Sequence, residues 1–585
     1  MVTTPGGWLL VLAVLAPFAG VLLGLVFGRH AQRVAALVGV VGLAPAAAIV
    51  VTMVGSGEPL VYLMGGWAPP LGIALRADGL SMVMIGVVAV VVCGIGLYAR
   101  ADFGLAAGAP EARAPLVYWL LLMAVWGSLN LVFVSGDLFT LYVALELLTF
   151  SGVPLVCLDG RGETLRAALR YLVFALAGSL LYLLGAVLVY GGYGTLDIVL
   201  LGEIARSEPV AWTALALMTV GLLAKTALFP LHIWLPPAHA GAPAAASAIL
   251  SALVIKGSWF LVVRLWFDAM PGVVTLAAAQ LLAAMGAVAI VVGSVVALRQ
   301  ERLKLLVAYS TMAQIGYLFL MFPLAFDAGG TIAHGAVSTA GLMQAISHAT
   351  AKAGMFMAAG LIYAALGHDR IADLAGVARL MPVTVLAFAT AGLALMGVVP
   401  SGAYLAKKLM LDAADGSGQW WWTMVLQGGA AFTAGYVVLF LVNVLRRPPA
   451  PVQPVRRVSR LSEAAALGLA LCSLALGFAV LGPLPSELVK NPLAPSELVA
   501  TLGVVLAGAL MALALARRSL FAGSASGPGA GPDVGGGGPV RRATVPLGRA
   551  FEGLDRLARR WTSASLVLLT LAVLFAALLI AGGGR

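Results

Sequence analysis

The sequence predicts an all-α polytopic membrane protein with about 14–16 transmembrane helices, containing two inverted five-helix repeats, each with one broken helix. Three observations lead there. Of 585 residues, 62% are hydrophobic and only 10% charged, whereas soluble domains run near 25% charged. Apolar runs of about 20 residues, each long enough to cross a bilayer, recur along the whole length. Prolines interrupt two of these runs at corresponding places in two halves of the chain.

In chain order the runs lie near 7–27, 32–53, 80–99, 115–135, 137–157, 169–190, 210–240, 243–266, 272–298, 304–324, 340–365, 380–412, 421–445, 464–482, 497–516 and 563–582. The first lacks a basic leader and a small-residue cleavage site, so it reads as a retained helix and not a signal peptide. With the N-terminus outside, alternate connections are cytoplasmic. They hold Arg29 and Arg33, Arg100 and Arg113, Arg161, Arg166 and Arg170, Arg299 and Arg302, Arg370 and Arg379, and the cluster at 446–460. The opposite connections hold Asp197, Glu203, Asp268, Asp327, Asp412 and Asp415 with few cations. This is the positive-inside pattern. It places both termini outside a bacterial or archaeal cell (inner) membrane, and it accounts for the net charge of +11 without nucleic acid.

Two runs read as broken. Around Lys225, Pro230, Pro236 and Pro237 remove amide donors at membrane depth. Around Lys407, Pro400 and Gly402 interrupt the span. Unwound helices at matching positions of two halves point to a transporter's ion site. Spans four to eight start inside and spans nine to thirteen outside, so the two units are inverted. The expected organisation is N-terminal helices at 1–114, a first repeat at 115–266, a second at 267–445, and C-terminal helices at 446–585. Within the last part, 446–460 is basic and proline-rich, 523–540 is a glycine-rich linker, and RAFEGLDRLARRW is an amphipathic basic helix suited to an anionic membrane surface.

Seven lysines stand against 28 arginines. Four of the seven, Lys225, Lys256, Lys352 and Lys407, interrupt apolar stretches, while the loops use Arg. Arg keeps its proton in a protein, whereas a desolvated Lys can release one. Lysines at these depths therefore mark ammonium groups that switch charge. Glu146, mid-span in DLFTLYVALELLTF, needs a cation close by, and Lys225 is the expected partner. Paired, both stay charged; parted, the lysine gives up its proton. A static ion pair that fixes helix register is the bland alternative. His348 and Lys352 lie four residues apart on one helix face, and His titrates near neutrality. His232 and His239 flank the first break and either carry protons or hydrogen-bond freed carbonyls. Lys408 points about 100° from Lys407 and reads as structural or interfacial. Cys93, Cys157 and Cys472 are scattered packing residues without metal spacing. No phosphate loop, dinucleotide fingerprint, haem ligand set or iron–sulfur pattern is visible, so no cofactor or metal is expected. Energy must come from a partner or an ion gradient.

These residues resemble a known family. AKTALFPLHIWLPPAHAGAPAAASAILSALVIKG, ERLKLLVAYSTMAQIGY, ISHATAKAGMF and VVPSGAYLAKK are similar to the seventh-to-eighth, tenth, eleventh and twelfth helices of the antiporter-like subunits. Those subunits are shared by respiratory complex I, group 4 hydrogenases and Mrp-type Na⁺/H⁺ antiporters. The resemblance covers about residues 65–445, and GGWAPPLGIALRADGLS looks most like the D-type Mrp subunit. It implies a 14-helix core, a Glu/Lys pair at Glu146 and Lys225, and a lysine chain at Lys256 and Lys407. Gln344 stands where some relatives carry a second His, and Ala403-Tyr404 replaces the family's Gly-Phe. The expected function is proton translocation, H⁺ with or without Na⁺, along Glu146, Lys225, Lys256, His348, Lys352 and Lys407. It would operate in a complex with other membrane subunits, most readily an Mrp-type antiporter. The alternatives are the pump subunit of a complex I-like NADH/quinone oxidoreductase or group 4 hydrogenase, where the assembly is an enzyme, and the energising subunit of an inorganic carbon uptake system.

Overall fold

Polar backbone in lipid must be satisfied within the segment, and the chain meets this with helices almost throughout. The computed structural model describes residues 2–105, 112–327, 329–333, 335–448, 452–481, 502–512 and 539–583, with Pro495, Glu497 and Val499 between them. Most of the glycine-rich linker, 523–538, and part of the fifteenth predicted span lie outside the described residues. Among the described residues, thirteen segments are long and apolar enough to span a membrane. One of them, Trp8–Ser56, is two helices, α1 (Trp8–Phe27) and α2 (Ala31–Ser56), which reverse at Gly28 with φ 47°.

A short antiparallel hairpin, β1 (Leu60–Leu63) and β2 (Ala74–Ala77), follows with Leu60 opposite Ala77. The all-α expectation did not include it, because its strands flank a Gly- and Pro-rich turn that reads as loop. Asp78 then caps α3 (Gly79–Phe103) at Ser81 N. It also takes a bidentate ion pair from Arg264 at 2.5 Å on each arm. Burial would raise the Asp78 carboxyl, but the Arg264 bonds and charge outweigh it and hold it at about 2.

The stretch expected as the first repeat holds α4 (Arg113–Val134), α5 (Leu138–Gly152), α6 (Gly162–Tyr193), the short α7 (Ile198–Ile204), α8 (Pro209–Thr226), α9 (Leu235–Gly241) and the continuous segment Ala244–Ala269. That segment holds α10 (Ala244–Ile249), a π turn at Leu250–Val254, and α11 (Ile255–Arg264). The stretch expected as the second holds α12 (Leu276–Leu298), α13 (Leu303–Leu324), α14 (Gly335–Leu366), the short α15 (Val377–Leu380), α16 (Pro382–Leu395), α17 (Gly402–Gly416) and α18 (Trp420–Leu445). Each break holds one proline, Pro230 in the first and Pro400 in the second, whereas Pro236 and Pro237 fall in the first turn of α9 and Gly402 opens α17. The first separates α8 from α9, with Ala227 left-handed at φ 58°. The second separates α16 from α17, with Ser401 capping the restart at Tyr404 N.

Burial follows chemistry. The apolar stretch of Ala244–Ala269 is 100% buried and that of α13 94%, against 39% for Trp8–Ser56. The exposed leucines and valines of α1, α2 and α6 face outward, as lipid contact requires. α19 (Arg460–Ala475) packs against α3, α14 and α16, and α20 is Leu502–Ala512. The chain closes with α21 (Pro539–Ala558) and α22 (Trp561–Gly583). α22 packs against α8 of the first repeat and α12 of the second. The amphipathic helix expected on the membrane surface is α21; it docks on the protein itself, where Asp555 is 2% exposed.

α6 and α8 touch through backbone. A Cβ added to Gly178 would lie 2.6 Å from the Gly221 carbonyl oxygen, whereas one at Gly191 meets nothing within 4 Å. Small residues allow such approach in membranes. Gly178→Val should therefore destabilise the protein by about 1–3 kcal/mol and lower its amount in membranes. Gly191→Val should leave the amount unchanged, and quantitative immunoblotting of the two variants checks this.

Candidate proton-relay site

The first break brings α8 and α5 together at one ion pair. Lys225 sits in the last turn of α8, and Glu146 and Thr149 lie on one face of α5, three residues apart. The Lys225 ammonium donates to Glu146 Oε1 at 3.3 Å, to Thr149 Oγ1 at 2.7 Å and to the Leu145 carbonyl at 3.4 Å. Its three protons are thereby placed. The side chains are 7% and 14% exposed, so both charges are largely shielded from solvent. A cavity of about 10 Å³ adjoins Lys225 and reaches Ser258 of α11. That is close to the least volume that holds one water.

Lys256 is placed by the π turn. Such a turn frees backbone carbonyls from the α-helical ladder, and the Lys256 ammonium donates to the Ser251 carbonyl at 2.5 Å. It also hydrogen-bonds His348 Nδ1. The expected His/Lys face is present: α14 carries Gln344, His348, Lys352 and Phe356 at four-residue spacing. Lys352 donates to Ser310 Oγ and to the Val307 carbonyl at 3.2 Å. Three consecutive side chains of α13 thus serve three partners. Tyr309 OH donates to Asp555 at 3.0 Å, Ser310 holds Lys352, and Thr311 hydrogen-bonds the Ser251 hydroxyl at 2.9 Å.

Gln344 is not an interruption. It donates to Gln314 at 3.1 Å, and both line a cavity of about 20 Å³ together with Lys407 and Tyr317. Lys408 turns elsewhere: it pairs with Glu497 at 2.8 Å, and Tyr404 OH donates to the same carboxylate at 3.1 Å.

The two histidines of the first break diverge. His232 Nε2 meets Asp555 Oδ1 at 2.8 Å. His239 is buried with neither ring nitrogen hydrogen-bonded, and it stacks on Phe356 at 4.7 Å, one turn beyond Lys352. Beside it, Lys304 donates to the Ala242 carbonyl at the α9–α10 junction. Lys304 also lines a cavity of about 720 Å³ with Asp159, Arg161, Arg170 and Asp369. At its rim, burial would raise the Asp159 carboxyl, but hydrogen bonds from Thr164 and Arg161 outweigh it and hold it below its ordinary value.

The structure therefore joins Glu146 to Lys225, and Lys256 to His348 with Lys352 a turn away. No hydrogen bond among the described residues links the first group to the second, or Lys352 to Lys407. Lys304 and Asp555 escape a sequence reading because each sits among other charges near the end of an apolar run, and Glu497 because it opens one. Among the described residues no three His, Cys, Asp or Glu side chains gather as a metal site.

A family profile described as NADH:quinone oxidoreductase/Mrp antiporter, TM, matches residues 135–433. The chain is 34% identical over 453 residues to NADH-quinone oxidoreductase subunit N of Desulforudis audaxviator, covering 74% of this chain and 87% of that protein. It is 26% identical to the D-type subunit of a Na⁺/H⁺ antiporter of Bacillus subtilis, over 62% of this chain and 71% of that protein. Among solved structures, a chain of the Mrp complex from Dietzia sp. DQ12-45-1b superposes with TM-score 0.71 at 22% identity, covering 88% of this chain and 99% of that one.

The cavity that takes Lys407 and the ion pair that takes Lys408 separate these neighbours. Lys407→Ala should reduce ion movement far more than Lys408→Ala at matched expression. A larger loss at Lys408 would place the wrong lysine on the axis.

Proposed function

The chain belongs to the NADH:quinone oxidoreductase/Mrp antiporter family of membrane subunits, and we propose that it moves protons along Glu146, Lys225, Lys256, His348, Lys352 and Lys407. The observation that carries this reading is the Glu146–Lys225 ion pair at 3.3 Å, at the end of a helix that breaks one residue later. A broken helix can shift its end without moving a whole span. While Lys225 touches Glu146 it stays protonated. Drawn away into apolar surroundings, it loses the charge that holds its proton and passes the proton through the small cavity toward Ser258 and Lys256. Lys256 shares its hydrogen bond with His348, which takes the proton toward Lys352 on the same face. Lys407, restarting after the second break, is the far port. Residues 115–266 and 267–445 each form one half-channel. His239 and Lys304, between the 720 Å³ cavity and the turn of Lys352, form the entry from the cytoplasmic side.

The work is done in a complex with other membrane subunits, in a bacterial or archaeal cell membrane with both termini outside. An Mrp-type antiporter, with Na⁺ as a candidate second ion, is the leading assembly. The similarity to subunit N of an NADH-quinone oxidoreductase favours a second, in which redox chemistry on partner subunits drives the same relay. Mass spectrometry of the purified native complex separates the two by the partners present.

In inverted membrane vesicles, Lys225→Ala should abolish proton transport while the complex still assembles. Lys225→Arg should fail as well, because guanidinium keeps its proton. Normal transport by the Arg variant reduces Lys225 to an electrostatic anchor.

Glu146→Gln should be nearly as damaging, and Glu146→Asp should retain part of the rate. Wild-type transport in Glu146→Gln rules out the charge switch.

A further inference from the structure

An amphipathic helix on an anionic membrane surface ordinarily turns its charges away from the protein and its apolar side chains toward lipid or core. α21 does the reverse with its acids. Leu554, Leu557, Arg549 and Arg556 are exposed, while Gly548, Asp555 and Ala558 are buried and Glu552 is half-buried against the protein. Glu552 pairs with Arg299 at the end of α12. Asp555 is 3% exposed in its side chain and its carboxylate meets three groups from three directions: His232 Nε2 at 2.8 Å, Tyr309 OH at 3.0 Å and Arg559 Nη2 at 2.8 Å. Burial would raise this carboxyl, and the His232 hydrogen bond and charge, with Arg559 and Tyr309, outweigh it and leave it below its ordinary value. Carrying a charge into the interior is costly, and a well-packed apolar residue is often the more stable choice. His232, fully buried, has its other nitrogen, Nδ1, without a hydrogen-bond partner.

We propose that α21 is a working part of the transport path: Asp555 is a positioning residue that fixes His232 as a proton acceptor inside the first break. An ionised carboxylate accepts only, so Nε2 must carry the hydrogen and Nδ1 must present the lone pair. A proton taken at Nδ1 gives an imidazolium held by the Asp555 charge, and its release from Nδ1 restores the neutral ring. Tyr309 sits beside Ser310, which holds Lys352, so the same helix that receives α21 also carries the second repeat's lysine contact. Undocking α21 would remove the charge and free the tautomer together.

This rests on the proton-transport reading, and Lys225→Ala in the same vesicles keeps the two apart: normal transport there refutes the reading itself. In the assembled complex, Asp555→Asn should lower the initial rate of proton uptake by about tenfold, the effect of losing one opposite charge beside a proton acceptor. Asp555→Glu should recover most of it, and Tyr309→Phe, which removes one hydrogen bond and no charge, should cost less than Asp555→Asn. The Asp555→Asn/His232→Gln double variant should be no slower than the slower single one, since both act through one imidazole. Additive losses, or wild-type uptake by Asp555→Asn, overturn the proposal and leave α21 an anchor. Where the Asn variant does not accumulate, Asp555→Glu is compared with and without His232→Gln. A cost that vanishes in the His232→Gln background supports the proposal, and an equal cost in both overturns it.

Discussion

An ammonium group inside a membrane protein must be given acceptors, and much of the interior is arranged around that demand. Lys225 has a carboxylate and a hydroxyl from one face of α5, Lys256 a carbonyl released by a π turn, and Lys352 a serine and a carbonyl of α13. Each solution differs in strength. Among the described residues, Lys225 alone of the three has an opposite charge in contact, and Lys256 and Lys352 are held by neutral groups. The three ammonium groups therefore sit in electrostatically different surroundings, one beside a carboxylate and two among neutral acceptors.

The first helix break lies directly beside one of those lysines. In a continuous helix, Lys225 would be tied by the full backbone ladder to residues on both sides. With α8 ending at Thr226 and α17 starting at Gly402, Lys225 lies in the last turn of its helix and Lys407 in the second turn of its own. The Gly178–Gly221 approach fixes the body of α8 to α6 while its last turn stays free of that clamp.

How much of this was legible in the residues depended on contrast. Glu146, Lys225, Lys256 and Lys352 stand out because each is a charge in an apolar run, and the prolines marked both breaks. Lys304 and Asp555 have no such contrast: they lie among Arg302 and Glu301, or Arg556, Arg559 and Arg560, and read as solvated ends. Asp555 also meets a partner 323 residues away, a distance that no local pattern encodes. The divergence of His232 and His239 was hidden for another reason. Seven residues apart in a broken segment, they would share a face of an intact helix, and the unwound stretch between them removes that register.

The run Tyr309–Ser310–Thr311 has a mechanical meaning. Successive helical residues point about 100° apart, so these three side chains reach outward around α13 like cams on one shaft. Turning or sliding the shaft by a fraction of a residue would lift the contacts to Asp555, to Lys352 and to the Ser251 hydroxyl in the same instant. Sites that no direct bond connects would then keep time with one another through a common axle.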